Sequence, residues 1–402
     1  MLYTDELDYT LPPELIASNP VYPRDHSRLL VYRCGSDSID HCLFSDLPHL
    51  LVPGDLLIAN DTRVLPAKLS LIKPSGGRIT GLFIAELSPG IWRVILRTRG
   101  RAAAGVQLTA RAENSHDLIH LKLLERESEK GQWIVEVSDT RPAAEVLARF
   151  GEVPLPPYIE KARGLKQQTA ANHSQFAATA APPLNDAAAG NFAHAQNSGR
   201  QDACTTRDAA VGNSADAQNY QTIYARAAGA LAAPTAGLHF TPEVFANLQQ
   251  RQIQRAFITL HVGLGTFLPV KAASLDQHPM HHETFMIPRT TVERIREQKL
   301  RSGRMVLVGT TTVRTLETMA HAILDASKPP EDFAGSTNLL IEPGYTFQLT
   351  DALITNFHLP RSTLLALVGA LTGMNRLKEI YHQAIARRYR FYSFGDAMLI
   401  LP

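Results

Sequence analysis

A chain of 402 residues with 45% hydrophobic and 19% charged residues has room for two or three domains and the composition of a globular enzyme. Its formal net charge of +2 argues against a uniformly basic nucleic-acid-binding body, so any RNA contact must use a local basic patch. Its three cysteines are too few for a disulfide framework or a thiolate zinc site, and no segment resembles a signal peptide or a membrane span. We therefore expect a cytoplasmic protein with free thiols.

The N-terminal region and the segment after it predict two different kinds of structure. The apolar segments SRLLVYR (27–33) and GDLLIAN (54–60), each bounded by turn residues, predict buried strands at the start of an α/β domain. From residue 67 to residue 139, short segments of alternating polar and apolar residues follow one another without a long helix. This pattern predicts a small antiparallel β-barrel-like domain inserted into the larger one.

Residues 164–219 are rich in Ala, Asn, Gln, Ser and Asp and contain almost no large apolar side chains. Such a segment cannot bury enough apolar surface to offset the conformational entropy lost on ordering. We therefore predict a disordered polar insertion within the main domain. Its few positive charges argue against a role in holding RNA phosphates.

The rest of the chain predicts alternating helices and strands. Thr241 and Pro242 have the N-cap and first-turn chemistry of a helix start, and Gly303 is placed to end a helix. Apolar runs between these helices predict buried strands. We therefore assign residues 1–66 and 140–402 to one main domain, so that the fold class is α/β with a mixed sheet and an inserted β-barrel-like domain.

The common cofactor signatures GxGxxG, GxxxxGK[ST], HExxH and CxxC are all absent from the sequence. A different kind of ligand site is indicated by the turn 309–312, which follows an apolar strand and begins a helix. Amides and hydroxyls at a helix start suit a carboxylate or a phosphate, although threonine caps on an ordinary helix have the same appearance. The candidates here are Thr311, Thr312 and Arg314.

The turn 60–63 is a second candidate, because it also follows a buried strand. The Asp61 carboxylate can accept hydrogen bonds from ribose hydroxyls, and the Arg63 guanidinium can bind a carboxylate through two parallel bonds. A salt-bridged turn without any ligand is the alternative interpretation.

Histidines can exchange protons near neutral pH, and His239 lies in the small-residue segment APTAGLHFT, which a ligand can approach closely. The cluster of His278, His281 and Glu283 has zinc-ligating side chains, but no second group has the spacing to complete a metal shell. We expect hydrogen bonding or proton transfer there rather than metal binding. For His239, a packed structural histidine remains the alternative.

The C-terminal region places polar side chains beside aromatic ones, which suits a purine or an unstacked tRNA base but also describes many hydrophobic cores. Its polar members are His358, Arg361 and Asp396, and Tyr392 lies among them. The best candidates for RNA phosphate contacts are two arginine clusters, one in the predicted β domain and one near the C-terminus. They comprise Arg97, Arg99, Arg101, Arg387, Arg388 and Arg390.

Nine segments together resemble the S-adenosylmethionine:tRNA ribosyltransferase-isomerases of queuosine biosynthesis, in the family's order along nearly the whole chain except residues 164–219. In that family a short connector replaces those residues. The matching segments are LPPELIASNPVYPRDHSRLLVY, GDLLIANDTRVLPAKL, VPLPPYI, YQTIYARAAGALAAPTAGLHFT, ITLHVGLGTFLPV, HPMHHETF, VGTTTVRTLE, EPGYTFQLTDALITNFHLPRSTLL and YRFYSFGDAMLI.

The resemblance implies an α/β domain with an inserted β-barrel. It implies transfer and isomerisation of the ribosyl moiety of S-adenosylmethionine onto 7-aminomethyl-7-deazaguanine at the tRNA wobble position. The products would be epoxyqueuosine-tRNA, adenine and methionine, and no metal is expected. We also expect a monomer.

The resemblance does not assign individual roles, so we assign them from the residues. Asp61, Arg63, Thr311, Thr312 and Arg314 are predicted to bind the cofactor. His239 is the first candidate for proton transfer, with His281 and His358 as alternatives. Two competing functions are a metal-dependent nucleoside hydrolase and a non-catalytic RNA-binding protein.

Overall fold

The structure is a computed structural model that describes residues 2–98, 102–112, 115–128, 131–159, 161–163, 215–263 and 272–402. Within these ranges the strands are, in chain order, β1 (Arg28–Arg33), β2 (Ser38–Leu43), β3 (Leu56–Asn60), β4 (Thr62–Val64), β5 (Lys68–Ile72), β6 (Arg78–Ser88), β7 (Ile91–Arg97), β8 (Gln107–Arg111), β9 (Leu118–Arg126), β10 (Gln132–Val137), β11 (Gly151–Glu152), β12 (Ala227–Ala230), β13 (Gln254–Leu260), β14 (Glu283–Ile287), β15 (Met305–Val308), β16 (Phe333–Thr337), β17 (Ala352–Asn356) and β18 (Ala397–Leu401).

The α-helices alternate with strands mainly in the second half of the chain. Those with defined bounds are α1 (Leu47–Leu50), α2 (Ala143–Phe150), α3 (Pro242–Gln250), α4 (Arg289–Leu300), α5 (Thr310–Leu324), α6 (Thr363–Thr372) and α7 (Met374–Ala386). The predicted start of α3 is confirmed, since the Thr241 hydroxyl accepts a hydrogen bond from the Val244 amide at 3.2 Å. Among the described residues, no helix combines the length and apolarity needed to cross a bilayer.

The main sheet has nine strands in the order β16-β14-β13-β3-β15-β17-β18-β1-β2. Its centre, from β13 through β3 and β15 to β17, is parallel, and the flanking strands β14 and β18 run antiparallel to their central neighbours. β3, β15 and β17 are buried along their whole length, as expected for apolar runs covered on both faces. The carboxyl ends of the four parallel strands therefore meet at one edge of the sheet.

The second sheet is a closed antiparallel barrel. Its strands pair in the order β5-β6-β7-β10-β9-β8, and β8 pairs back with β5. They run from Lys68 to Val137, inside the segment 67–139 whose alternating pattern predicts such a domain. The fold class predicted from the sequence, α/β with an inserted β-barrel, is confirmed.

One boundary differs from the sequence-based assignment. α2 and β11 lie in the segment given to the main domain, yet Val146, Leu147 and Phe150 of α2 pack in the hydrophobic core of the barrel. β11 also pairs with β5. The apolar face of α2 packs on the barrel because α2 directly follows the barrel in the chain and must bury that face.

Most of the predicted disordered insertion, residues 164–214, lies outside the described residues. Its last part is ordered, because residues 215–219 are helical. Asp216 there makes a two-bond ion pair with Arg163, at 2.7 and 2.8 Å. The prediction of disorder is therefore wrong for 215–219, where a polar segment is held by a specific partner rather than by apolar burial.

Candidate active site

A cavity of about 100 Å³ opens at the carboxyl edge of β15 and β17. Open α/β sheets commonly bind ligands at this edge. Complete ligand pockets are typically about 300–1,000 Å³, so this cavity has room for one group of a nucleoside-sized ligand. Its wall includes Tyr158, Thr235, Thr311, Asn356, His358 and Tyr392.

Two helices begin at this cavity. Gly309 has φ +84°, a left-handed conformation that favours glycine, and it turns the chain from β15 directly into α5. Ser362 caps α6, accepting a hydrogen bond from the Leu365 amide at 3.2 Å, and also lines the cavity. Because the first amides of a helix lack an intrahelical partner and carry partial positive charge, this wall suits a carboxylate or a phosphate.

The three candidates on α5 have different surroundings. Thr311 lines the cavity, and its hydroxyl accepts a hydrogen bond from the side-chain amide nitrogen of Asn60 at 3.2 Å. The buried Thr312 hydroxyl instead donates to the Val308 carbonyl at 2.7 Å. The Arg314 guanidinium is buried, forms an ion pair with Glu283 and donates to the Leu339 carbonyl at 2.9 Å. Of the three, only Thr311 contributes to the cavity wall.

The turn after β3 is closed by contacts within the protein. Asp61 is buried, and its carboxylate accepts bonds from Arg226 at 2.6 and 3.0 Å and from the Thr259 hydroxyl at 2.6 Å. Arg63 is exposed on β4. Neither side chain belongs to the cavity wall. Asn60 is the residue of this turn that reaches the site, through its bond to Thr311.

His239 lies behind the cavity wall. Its Nδ1 is 2.7 Å from the Ser27 hydroxyl, its Nε2 is 3.1 Å from the Asn356 side-chain amide nitrogen, and its ring stacks on Phe44. Burial, with a smaller contribution from Arg390 and Arg24, lowers the pKa of His239 to about 3. Both ring nitrogens are therefore occupied in a neutral, buried imidazole.

His358 lies on the cavity wall, just after β17. Its Nε2 is 2.8 Å from the Thr355 hydroxyl, and burial lowers its pKa to about 4. Among the described residues, its Nδ1 has no hydrogen-bond partner. The structure thus brings His358, but not His239, to the cavity with a free ring nitrogen.

The third histidine candidate, His281, is exposed, as is His282. Nearby Glu283 is buried and accepts from the Gly263 amide at 3.1 Å in addition to its ion pair with Arg314. Over the described residues, no three His, Cys, Asp or Glu side chains are grouped so as to hold a metal ion. The structure does not bring His281 to the cavity wall.

Two aromatic rings form another part of the wall. Tyr158 and Tyr392 pack with ring centroids 4.7 Å apart, and Tyr392 has φ +74°, which is rare for a residue with a β-carbon. Its carbonyl accepts from the Asn356 side-chain amide at 3.3 Å and from the Gly395 amide at 2.9 Å. A strained backbone held by several bonds at a cavity is typical of functional sites.

The comparisons with known proteins identify the family. A family model described as queuosine biosynthesis protein matches residues 4–400. A protein of Nostoc named S-adenosylmethionine:tRNA ribosyltransferase-isomerase is 41% identical over 417 residues, covering 98% of this chain and 91% of the relative. The Thermotoga maritima protein of the same name is 40% identical over 396 residues, covering 98% of this chain and 99% of the relative.

This chain belongs to the queuosine biosynthesis family. The resemblance inferred from the nine segments, and the enzyme class it implies, are confirmed. A crystal structure of S-adenosylmethionine tRNA ribosyltransferase from Thermotoga maritima is also similar, with 33% identity, a TM-score of 0.49, and coverage of 98% of this chain and 100% of that one. The comparisons assign no role to any residue.

Several residues of this family member's cavity were not singled out from the sequence. Asn356 and Thr355 end β17 just as Asn60 ends β3, and a polar residue that ends a buried strand is the signal that could have identified them. The Thr235 hydroxyl donates to the Asn356 side-chain oxygen at 2.8 Å, a contact between positions far apart in the chain. Tyr158 lies in the matching segment VPLPPYI without any chemical signal of its own.

The two predicted arginine clusters contain both exposed and hydrogen-bonded side chains. Arg97 is exposed at the end of β7, whereas Arg99 and Arg101 lie outside the described residues. Arg387 and Arg388 are exposed after α7. Arg390 is partly buried and donates to the Phe394 carbonyl at 2.6 Å and the Asn19 carbonyl at 3.2 Å, so its guanidinium is engaged within the protein.

Proposed function

We propose that this protein transfers and isomerises the ribosyl moiety of S-adenosylmethionine onto 7-aminomethyl-7-deazaguanine at the wobble position of a tRNA anticodon. The products are epoxyqueuosine-tRNA, adenine and methionine. The observation that carries the proposal is the match over residues 4–400, together with the names of the relatives near 40% identity. The reaction as proposed requires no metal, and it takes place in the cytoplasm, where tRNA and S-adenosylmethionine are available.

The cofactor is proposed to bind with its methionine carboxylate at the start of α5. This position is favoured because Thr311 lines the cavity and the first amides of that helix attract an anion. Asp61, Thr312 and Arg314 have partners inside the protein, so they stabilise the surrounding turns. Arg63 is exposed away from the cavity wall and is the weaker candidate for cofactor binding.

The histidine that acts on the substrate is proposed to be His358 rather than His239. The sulfonium acidifies the adjacent ribose carbon, adenine leaves more readily when a ring nitrogen receives a hydrogen bond, and the substrate amine must be neutral to attack. A histidine can serve these steps only if a ring nitrogen can reach the substrate. His358 has such a nitrogen at the cavity, whereas both nitrogens of His239 are occupied.

For tRNA, the proposed phosphate contacts are Arg387 and Arg388, with Arg97 as a further candidate on the barrel. Their exposure supports the proposal, since a nearly balanced net charge leaves binding to local clusters. The engaged Arg390 positions the C-terminal segment instead.

The decisive experiment incubates the purified protein with S-adenosylmethionine and tRNA carrying 7-aminomethyl-7-deazaguanine. We expect epoxyqueuosine in the nucleoside digest by mass spectrometry, with adenine and methionine released in equal amounts. The same tRNA with guanine at the wobble position is the matched control and should give no product.

The two competing functions predict different results. A non-catalytic RNA-binding protein would bind the tRNA without releasing adenine. A metal-dependent nucleoside hydrolase would release a base from free nucleosides and lose that activity with a chelator. Either result, without epoxyqueuosine formation, would reject the proposed function.

A further inference from the structure

His358 is fixed at three points beside the cavity. Its backbone amide donates to the Tyr381 hydroxyl at 2.9 Å, and its carbonyl accepts a hydrogen bond from the Tyr9 hydroxyl. Its ring Nε2 lies 2.8 Å from the Thr355 hydroxyl. With the backbone and Nε2 held in this way, Nδ1 is the ring atom left to meet a ligand.

The direction of the hydrogen bond between Thr355 and His358 determines whether Nδ1 carries a proton. Thr355 is buried, and among the described residues the only hydrogen-bond partner of its hydroxyl is His358. If Nε2 carried the proton and donated to Thr355, the buried hydroxyl hydrogen would have no acceptor within the described part of the chain, which is costly. If Thr355 donates to Nε2, the hydroxyl hydrogen is satisfied and the single proton of the neutral ring lies on Nδ1.

We propose that Thr355 is a positioning residue that holds His358 as the Nδ1–H tautomer, so that His358 presents a hydrogen-bond donor to a ring nitrogen of the leaving heterocycle. This inference rests on the proposed function, in which the heterocycle is adenine. The lowered pKa of His358, about 4, agrees with a neutral ring at physiological pH. A neutral imidazole that donates a hydrogen bond is an established catalytic device.

The step balances without any further reagent. As the bond between the ribose C1′ and adenine N9 breaks, its electron pair stays on adenine. The Nδ1–H bond of His358 stabilises that developing negative charge and keeps its own proton, and solvent water protonates the released adenine. His358 is therefore a donor to the leaving group and not the base that removes the ribose proton.

The test compares Thr355→Val, which removes the hydroxyl, with Thr355→Ser, which keeps it. Thr291→Val, in α4, is the matched control, because among the described residues its buried hydroxyl bonds to the Phe257 carbonyl of β13 alone, at 2.7 Å. The readouts are the tautomer of His358 by ¹⁵N NMR of histidine-labelled protein, assigned with His358→Gln, and single-turnover adenine release.

We expect wild type and Thr355→Ser to show Nδ1–H and similar release rates. Thr355→Val should lose the tautomer preference and release adenine about 10²-fold more slowly, as when one preorganised donor is removed. Thr291→Val should change neither readout. An Nε2–H ring in wild type, or wild-type release by Thr355→Val, would overturn the proposal.

The NMR readout needs no substrate, so it separates this inference from the proposed function. If wild type shows Nδ1–H but releases no adenine with precursor tRNA, the proposed function fails and with it the role of His358 as a donor to adenine. If wild type releases adenine with the ring in the Nε2–H form, the function stands and the inference about Thr355 is wrong.

Discussion

His239 and His358 lie on opposite sides of one cavity wall, and they differ in the number of ring nitrogens left free. Burial lowers the pKa of both, to about 3 and about 4 respectively. His239 has Ser27 on one nitrogen and Asn356 on the other, while His358 has Thr355 on one nitrogen only. A lowered pKa therefore does not distinguish the two histidines, whereas the number of their hydrogen-bond partners among the described residues does.

The bonds of His239 show what a fully occupied histidine contributes. Asn356 donates to His239 and to the Tyr392 carbonyl, and it accepts from the Thr235 hydroxyl. His239 thus fixes an amide that joins three segments of the cavity wall. It supports the wall from behind, while His358 lies on the wall itself.

The largest expected effect is on turnover by His358→Gln. Loss of one preorganised hydrogen-bond donor typically costs about 10²–10³ in rate. We expect that loss in single-turnover adenine release, with the affinity for S-adenosylmethionine by calorimetry and the unfolding midpoint close to wild type. A wild-type release rate would show that His358 takes no part in the reaction.

The next effect is on stability, by His239→Ala. The substitution leaves the buried Ser27 hydroxyl without its partner, at about 1–3 kcal/mol, and removes one of the two acceptors of the Asn356 side-chain amide, so we expect about 2–4 kcal/mol less free energy of unfolding. Urea denaturation measures this loss. If instead stability is unchanged while adenine release by folded protein falls more than in His358→Gln, then His239 is the catalytic group.

The pH dependence of stability sharpens the same comparison. The pKa of His239 is about 3 in the folded protein, against an ordinary value of 6.5. Below pH 6.5 the unfolded chain therefore binds a proton at this residue that the native state does not bind. Stability is therefore lost as pH falls from 6.5 toward 3, by at most about 1.4 kcal/mol per pH unit for this group. His239→Gln should show a shallower acid slope than wild type in urea titrations at pH 4–8. Equal slopes would mean that His239 is protonated in the folded protein.

The sequence predicts local features of this fold well and distant partnerships poorly. The alternation in 67–139 specifies the barrel, and the buried run before Asn60 specifies β3, because both patterns depend on neighbouring residues. The contacts that occupy these candidate polar groups join positions far apart: Asp61 with Arg226, and His239 with Ser27. Nothing in either local segment reveals that its polar group is already occupied, so both were equally good candidates before the fold was known.

Arginines near the C-terminus also differ in whether their side chains are bonded within the protein, which matters for RNA binding. Arg387 and Arg388 are exposed, while Arg390 is bonded within the protein. Neutralising the pair as Arg387→Gln/Arg388→Gln should weaken tRNA binding several-fold and reduce the slope of log K against log salt by about 0.7–0.9 per lost phosphate contact. Arg301→Gln, at an exposed arginine after α4, is the control for the loss of a surface charge elsewhere. An unchanged slope in the double variant would place the tRNA elsewhere.

The smallest effect is expected from the polar insertion. Replacing residues 165–214 with a short Gly/Ser connector should leave turnover within a few-fold and stability nearly unchanged, because the composition offers little apolar surface to bury. Extending the replacement to Ala217 removes Asp216 and its two bonds to Arg163. A partly exposed ion pair of this kind contributes about 1 kcal/mol at most, so the longer replacement should unfold at slightly lower urea than the shorter one. Equal midpoints would assign no stability to the pair, and loss of turnover in the shorter replacement would show that the insertion takes part in the reaction.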